Sequence, residues 1–189
     1  MDKTVKENLF FIAIVPEEPL YSMIMNIKES FAKDYDSKAA LRSPPHITLH
    51  MPFKLSLEKA GKLKLRLVEV LLNFSPFEVK LKNYGSFPHK VIFIQVMESE
   101  SLTNLHSIIK RVMRTEFNFL NQDYKNQGFH PHITVAFRDM KKQEFNKAWE
   151  KFGVKNFEDQ FACNSVFLLK HTGKIWEKYF EIRFLTQKQ

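Results

Sequence analysis

A five-residue phrase occurs twice in this chain. Pro45-His46-Ile47-Thr48-Leu49 returns in the second half as Pro131-His132-Ile133-Thr134-Val135. On a β-strand successive side chains point to opposite faces, so a histidine and a threonine two apart share one face while the aliphatic residues take the other. Each copy therefore predicts a half-buried strand with a polar face and an apolar face. If the two polar faces meet across a groove, two imidazoles and two hydroxyls converge on one pocket.

The repeat extends beyond the phrase. Leu9–Val15 is a continuous apolar run ended by Pro16, the pattern of a buried strand. Leu20, Ile24, Ile27 and Phe31 then recur at helical spacing, and a polar stretch over 33–43 leads to a motif strand over 46–51. Ser56 is placed to cap a helix with the stripe Ala60, Leu63, Leu67 and Leu71. Strands are expected over 77–81 and 91–96, joined by a turn-rich segment over 83–90. The order then recurs: a helix carrying Leu102, Leu105, Ile109 and Val112, a loop over 120–129, a second motif strand over 132–138 and a helix near 141–152. Two closing strands are expected at about 160–169 and 175–184. Phe11-Ile12-Ala13-Ile14 in one half is answered by Ile92-Phe93-Ile94-Gln95 in the other. Such an order predicts a duplicated fold with a pseudo-twofold axis. With five glycines and no low-complexity linker, residues 1–189 should form a single domain of two closely packed lobes.

The formal charge of +8 suits an anionic partner such as an RNA end or a nucleotide, although the lysines are spread rather than massed in one tail. Cys163 is the sole cysteine, so no intrachain disulfide can form and a reducing cytoplasm is expected. The run 9–15 lacks a small-residue cleavage site, and no stretch reaches membrane-spanning length, so neither a signal peptide nor a membrane association is expected. No obligatory protein partner and no cofactor are implied.

Alternation places His46, Thr48 and His50 on one face of the first motif strand, and His132, Thr134, Ala136 and Arg138 on one face of the second. An imidazole with a pKa of about 6.5 allows one ring to be neutral and another charged near neutrality, which suits general acid–base work. Thr48 and Thr134 can donate to non-bridging phosphate oxygens, and Arg138 is a further phosphate-binding candidate. Phe87 and Phe129 adjoin these segments and are candidates for stacking on a base, against the simpler reading that they are core. A metal site is not expected. His46 and His50 on a strand lie roughly 13 Å apart, too far to share an ion. His89, His106 and His171 have no partner motif and are read as packing or surface residues.

With its two His-x-Thr-hydrophobic motifs, His46-Ile47-Thr48-Leu49 and His132-Ile133-Thr134-Val135, the chain resembles the 2H phosphoesterase superfamily, which includes the bacterial RNA 2′,3′-cyclic phosphodiesterases first described as 2′-5′ RNA ligases. The likeness covers nearly the whole chain. It takes in Phe10–Pro16 as the opening strand, Gly85-Ser86-Phe87 before a central strand, and Phe167–Phe184 as a closing hairpin with Gly173 near its turn. The resemblance implies an α+β, bilobal fold of two antiparallel sheets with outer helices around a central cleft. It also implies metal-independent hydrolysis of a 2′,3′-cyclic phosphate, a related cyclic phosphate or a 2′-5′ linkage, with His46 as proton donor and His132 as acceptor. The alternative is a nucleotide- or RNA-binding module that uses the same cleft without turnover. Many members carry an arginine one position before Arg138, and the continuation Leu49-His50-Met51-Pro52-Phe53 lacks the glycine of the tRNA-type enzymes.

Overall fold

The computed structural model describes residues 6–120 and 128–185, so residues 121–127 of the expected loop lie outside the described residues. In chain order the elements are β1 (Glu7–Ile14), α1 (Leu20–Tyr35), a 3-10 turn (Ala39–Arg42), β2 (Ile47–Ser56), α2 (Leu57–Leu71), β3 (Phe77–Phe87) and β4 (Val91–Val96). They continue with α3 (Glu100–Phe117), β5 (His132–Ala136), α4 (Lys142–Phe152), β6 (Glu158–Cys163), β7 (Ser165–His171) and β8 (Trp176–Arg183). The α+β class holds.

The expected pair of sheets does not. All the strands join one antiparallel sheet in the order β6-β3-β4-β5-β2-β1-β7-β8. The two motif strands meet at its centre through a single paired position, Ile47 with Ile133. The sequence predicts one strand across 160–169, but the chain breaks at Asn164 into β6 and β7. β6 pairs with β3 and β7 with β1, near opposite ends of the strand order. One intervening residue spans at most about 7 Å between Cys163 and Ser165. The sheet must therefore curl until its far ends approach, and that curl makes the concave surface the motif strands line.

Local chemistry explains most boundaries. Ser56 and Ser99 cap α2 and α3 by accepting from the N–H groups of Lys59 and Leu102 at 3.2 and 3.3 Å. The segment expected to be turn, 83–90, mostly continues β3, because Asn83 adopts a positive φ of 61° and absorbs a register shift against β4. Its side-chain oxygen accepts from the N–H of Phe157, and its own N–H donates to the Phe157 carbonyl.

The main core fills the space between helices and sheet: Phe10, Ile12, Ile14, Ile24, Phe31, Ile47, Leu49, Leu63, Leu67, Ile94, Ile109 and Ile133 are among its members. A smaller cluster of Phe11, Ala13, Val15, Phe167 and Leu169 lies on the other face of the sheet, with Tyr21 and Trp176 against it. β1 is thus covered on both faces, which accounts for its unbroken apolar run. Among the described residues no helix is long and apolar enough to cross a membrane.

Candidate active site

The seam between β2 and β5 builds the site. Ile47 and Ile133 are fully buried partners on the core face, so their chain neighbours project to the opposite, concave face. Carrying the antiparallel register one residue to each side sets His46 across from Thr134 and Thr48 across from His132. On that register each motif's histidine would stand beside the other motif's threonine. In a regular ladder diagonal neighbours lie about 7–8 Å apart. All four side chains are half-buried.

Beyond the threonines, alternation fails in both strands at the same place. Thr48 pairs with Ala13 but His50 with Ile12, so Leu49 is an extra, bulged residue. Thr134 pairs with Phe93 but Ala136 with Ile92, so Val135 is its counterpart. A one-residue bulge inverts the parity of all that follows. His50, expected on the cleft face, instead turns inward against Phe53, at a ring separation of 5.3 Å, and is only 2% exposed. It cannot share a ligand with His46. Ala136, also expected on the cleft face, is buried in the core. The motif strand predicted to reach residue 138 ends at Ala136, and Arg138 lies beyond it, exposed, with its guanidinium 5.3 Å from the Phe137 ring. Alternation therefore no longer places Arg138 on the face shared by the motif histidines and threonines.

The stacking candidates separate. Phe87 stands 5.4 Å from the His132 ring and 5.8 Å from His130, at the edge of the site. Phe129 does not border it: its ring lies flat on His106 at 3.9 Å and packs on the main core.

The two catalytic candidates are held alike. Nδ1 of His46 lies 2.7 Å from the Pro44 carbonyl, and Nδ1 of His132 lies 2.8 Å from the His130 carbonyl, each two residues back across a proline. A carbonyl can only accept, so Nδ1 carries the hydrogen and Nε2 keeps its lone pair for chemistry. Each ring also rests on a buried phenylalanine, Phe11 at 4.8 Å and Phe93 at 4.7 Å. Their electrostatics differ. His46 is drawn down to about 4, mainly by burial, next by the ammonium of Lys28, against the opposing hydrogen bond to Pro44, and last by repulsion from His132. His132 is also lowered from 6.5, mainly by burial, with the His130 carbonyl opposing and the His130 ring adding repulsion.

A sequence profile described as the 2′-5′ RNA ligase superfamily matches residues 16–175. This chain belongs to that superfamily. Relatives include a candidate phosphoesterase of Bacillus licheniformis, 30% identical over 115 residues, a match spanning 60% of this chain and 63% of that protein. A candidate phosphoesterase of a Geobacillus species (strain WCH70) is 29% identical over 160 residues, covering 84% of this chain and 85% of the relative. Among solved structures, Escherichia coli LigT complexed with 3′-AMP superimposes with a TM-score of 0.69 at 17% identity, covering 96% of this chain and 100% of LigT. The protein TT0787 of Thermus thermophilus gives 0.63 at 16% identity, over 93% of this chain and 97% of that one. At these identities the superpositions establish the fold.

In this member of the superfamily, residues that the sequence reading passed over hold the first motif in place. Lys28 was hidden in a helix stripe read as Leu20, Ile24, Ile27 and Phe31; the buried set is Leu20, Ile24, Lys28 and Phe31. Its Nζ donates to the carbonyls of Ala40 at 3.1 Å and Ser43 at 2.9 Å, and burial draws its pKa down to about 7. From beyond β5, Asp139 accepts from the N–H groups of Lys38 and Ala39, both at 2.7 Å, and from the Ser37 hydroxyl at 3.2 Å. Ser37 Oγ in turn accepts from the Phe137 N–H at 3.1 Å. This clasp ties the exit of one motif strand to the approach of the other. Only its place at stripe spacing, four after Ile24 and three before Phe31, could have flagged Lys28; the clasp joins residues too remote in sequence to leave a local signal. Asp139→Ala should lower unfolding stability by about 1–2 kcal/mol, the usual worth of a lost cap with donors left unsatisfied. Urea denaturation checks this, and an unchanged midpoint would show the clasp to be energetically idle.

Proposed function

We propose that this protein is a metal-independent phosphoesterase that hydrolyses a 2′,3′-cyclic phosphate, or a related cyclic phosphate or 2′-5′ linkage, at an RNA end or in a nucleotide. One observation carries the reading: two imidazoles, matched in tautomer, lie on motif strands that pair side by side at Ile47 and Ile133. The threonine hydroxyls would donate to the non-bridging oxygens as charge builds there. A water attacks phosphorus while the Nε2 of the neutral ring takes its proton. The new P–O bond forms as the bond to one ribose oxygen breaks, and the charged ring gives that oxygen its proton. The products are a phosphomonoester and a free hydroxyl, and proton exchange with solvent resets the two rings. The basic charge of the chain suits an RNA or nucleotide substrate, and its single, buried cysteine suits a reducing cytoplasm.

The two lowered imidazoles make a pH prediction. Turnover needs one ring neutral and one protonated, so activity falls on the acid side when the acceptor gains a proton and on the alkaline side when the donor loses one. In kcat/KM, which reports the free protein, both limbs follow imidazoles held below 6.5. The expected profile is a bell with its optimum on the acid side of 6.5, measured with a 2′,3′-cyclic nucleotide. A flat profile, or an optimum above pH 7, would remove the paired-histidine scheme.

A further inference from the structure

We propose that Lys28 is a positioning residue of the phosphoester site, which pins the segment delivering His46. This rests on the phosphoesterase reading above.

The geometry comes first. Lys28 is 1% exposed, and among the described residues no carboxylate lies within ion-pair distance of its ammonium. Burying a cation without an anion is costly, so such a residue calls for a role beyond packing. What it contacts are the carbonyls of Ala40 and Ser43, on either side of the 3-10 turn's end and immediately before Pro44. Pro44 supplies the carbonyl that orients His46. An unbroken chain of bonds therefore runs from α1 through the turn to the imidazole. Asp139, the carboxylate of this corner, is engaged on the other side of the turn with Ser37 and the N–H groups of Lys38 and Ala39.

The same placement bears on how His46 titrates. Among the described residues its titratable neighbours, Lys28 of α1 and His132 of β5, are both basic and both disfavour a charged His46, while Phe11 of β1 packs against its ring.

The test compares Lys28→Met, which removes charge and donors at similar volume, with Lys28→Gln, which keeps amide donors for the two carbonyls without the charge. Imidazole titrations followed by NMR are read beside kcat and KM for 2′,3′-cyclic AMP. In either variant that folds, the His46 midpoint should rise by about half to one pH unit while that of His132 stays put, as expected on removing a nearby like charge. The limb of the kcat/KM profile that His46 sets should rise with it. Turnover should fall about tenfold in Lys28→Met and less in Lys28→Gln, with KM little changed in both. An unmoved His46 with turnover within twofold would overturn the proposal. If the unmodified protein turns over no cyclic phosphate, the phosphoesterase reading fails, yet the His46 titration still decides what Lys28 does.

Discussion

Replacing His46 or His132 by alanine should lower hydrolysis of a 2′,3′-cyclic nucleotide about 10²–10⁴-fold, the usual contribution of one positioned acid or base. Binding of the same nucleotide should weaken by no more than about tenfold, since a ring neutral in the resting site offers the ground state roughly one hydrogen bond, about 1 kcal/mol. The fold should persist, because both rings are half-buried at the concave face and each leaves its phenylalanine support in place. The double substitution should cost little more than either single one, since groups acting as a unit are not additive. Calorimetric binding and product quantification on the same samples give both quantities. If the unmodified protein binds cyclic nucleotides and releases no product over hours, the cleft is a binding module. If either alanine variant retains full turnover, the paired-imidazole mechanism is wrong.

Gly85→Ala should damage stability and activity together. A Cβ at residue 85 would lie 2.4 and 2.7 Å from two ring carbons of Phe93 and 3.1 Å from Cγ of Gln95. Phe93 is 3% exposed and wedged between Phe87 and His132, at ring separations of 4.9 and 4.7 Å. It cannot swing clear, so either β3 withdraws from β4 or the ring is driven toward His132. Overpacking of this kind costs about 1–3 kcal/mol. In a domain of this size each kcal/mol lowers Tm by about 2–4 °C. Because the displaced ring supports a proposed catalytic histidine, kcat should drop as well. Gly61→Ala is the control: nothing lies within 4 Å of the added Cβ, the site is inside α2, and helix propensity predicts a gain of about 0.5–1 kcal/mol. Equal melting temperatures for Gly85→Ala and the unmodified protein would mean that this close approach is slack.

Much of the site was legible because its signals are local. His46 and Thr48, or His132 and Thr134, need only two residues of regular strand to share a face, and both stretches precede the bulges. The helices were legible from stripes such as Ala60, Leu63, Leu67 and Leu71, all of them buried. The errors begin where one residue breaks a period. The bulge at Leu49 sends His50 inward, and that at Val135 does the same to Ala136 and ends the parity argument for Arg138. Register also corrects the internal match between the halves. Ile12-Ala13-Ile14 corresponds to Ile92-Phe93-Ile94, one place from the pairing read in sequence. Phe129 looked like a cleft residue because it precedes the motif, but a histidine from α3 covers its face.

The amino-acid order by itself determined which four polar side chains share the working faces, because strand and helix periods act over a few residues. It also determined that the two halves carry the same apparatus. Only the tertiary structure decided that the strands form one curled sheet, that Ile47 and Ile133 pair to bring the two motifs together, and that a buried lysine holds the turn leading to one of them. Those outcomes depend on which distant segments meet and in what register, and a repeating pattern of polar and apolar residues is satisfied by many such meetings.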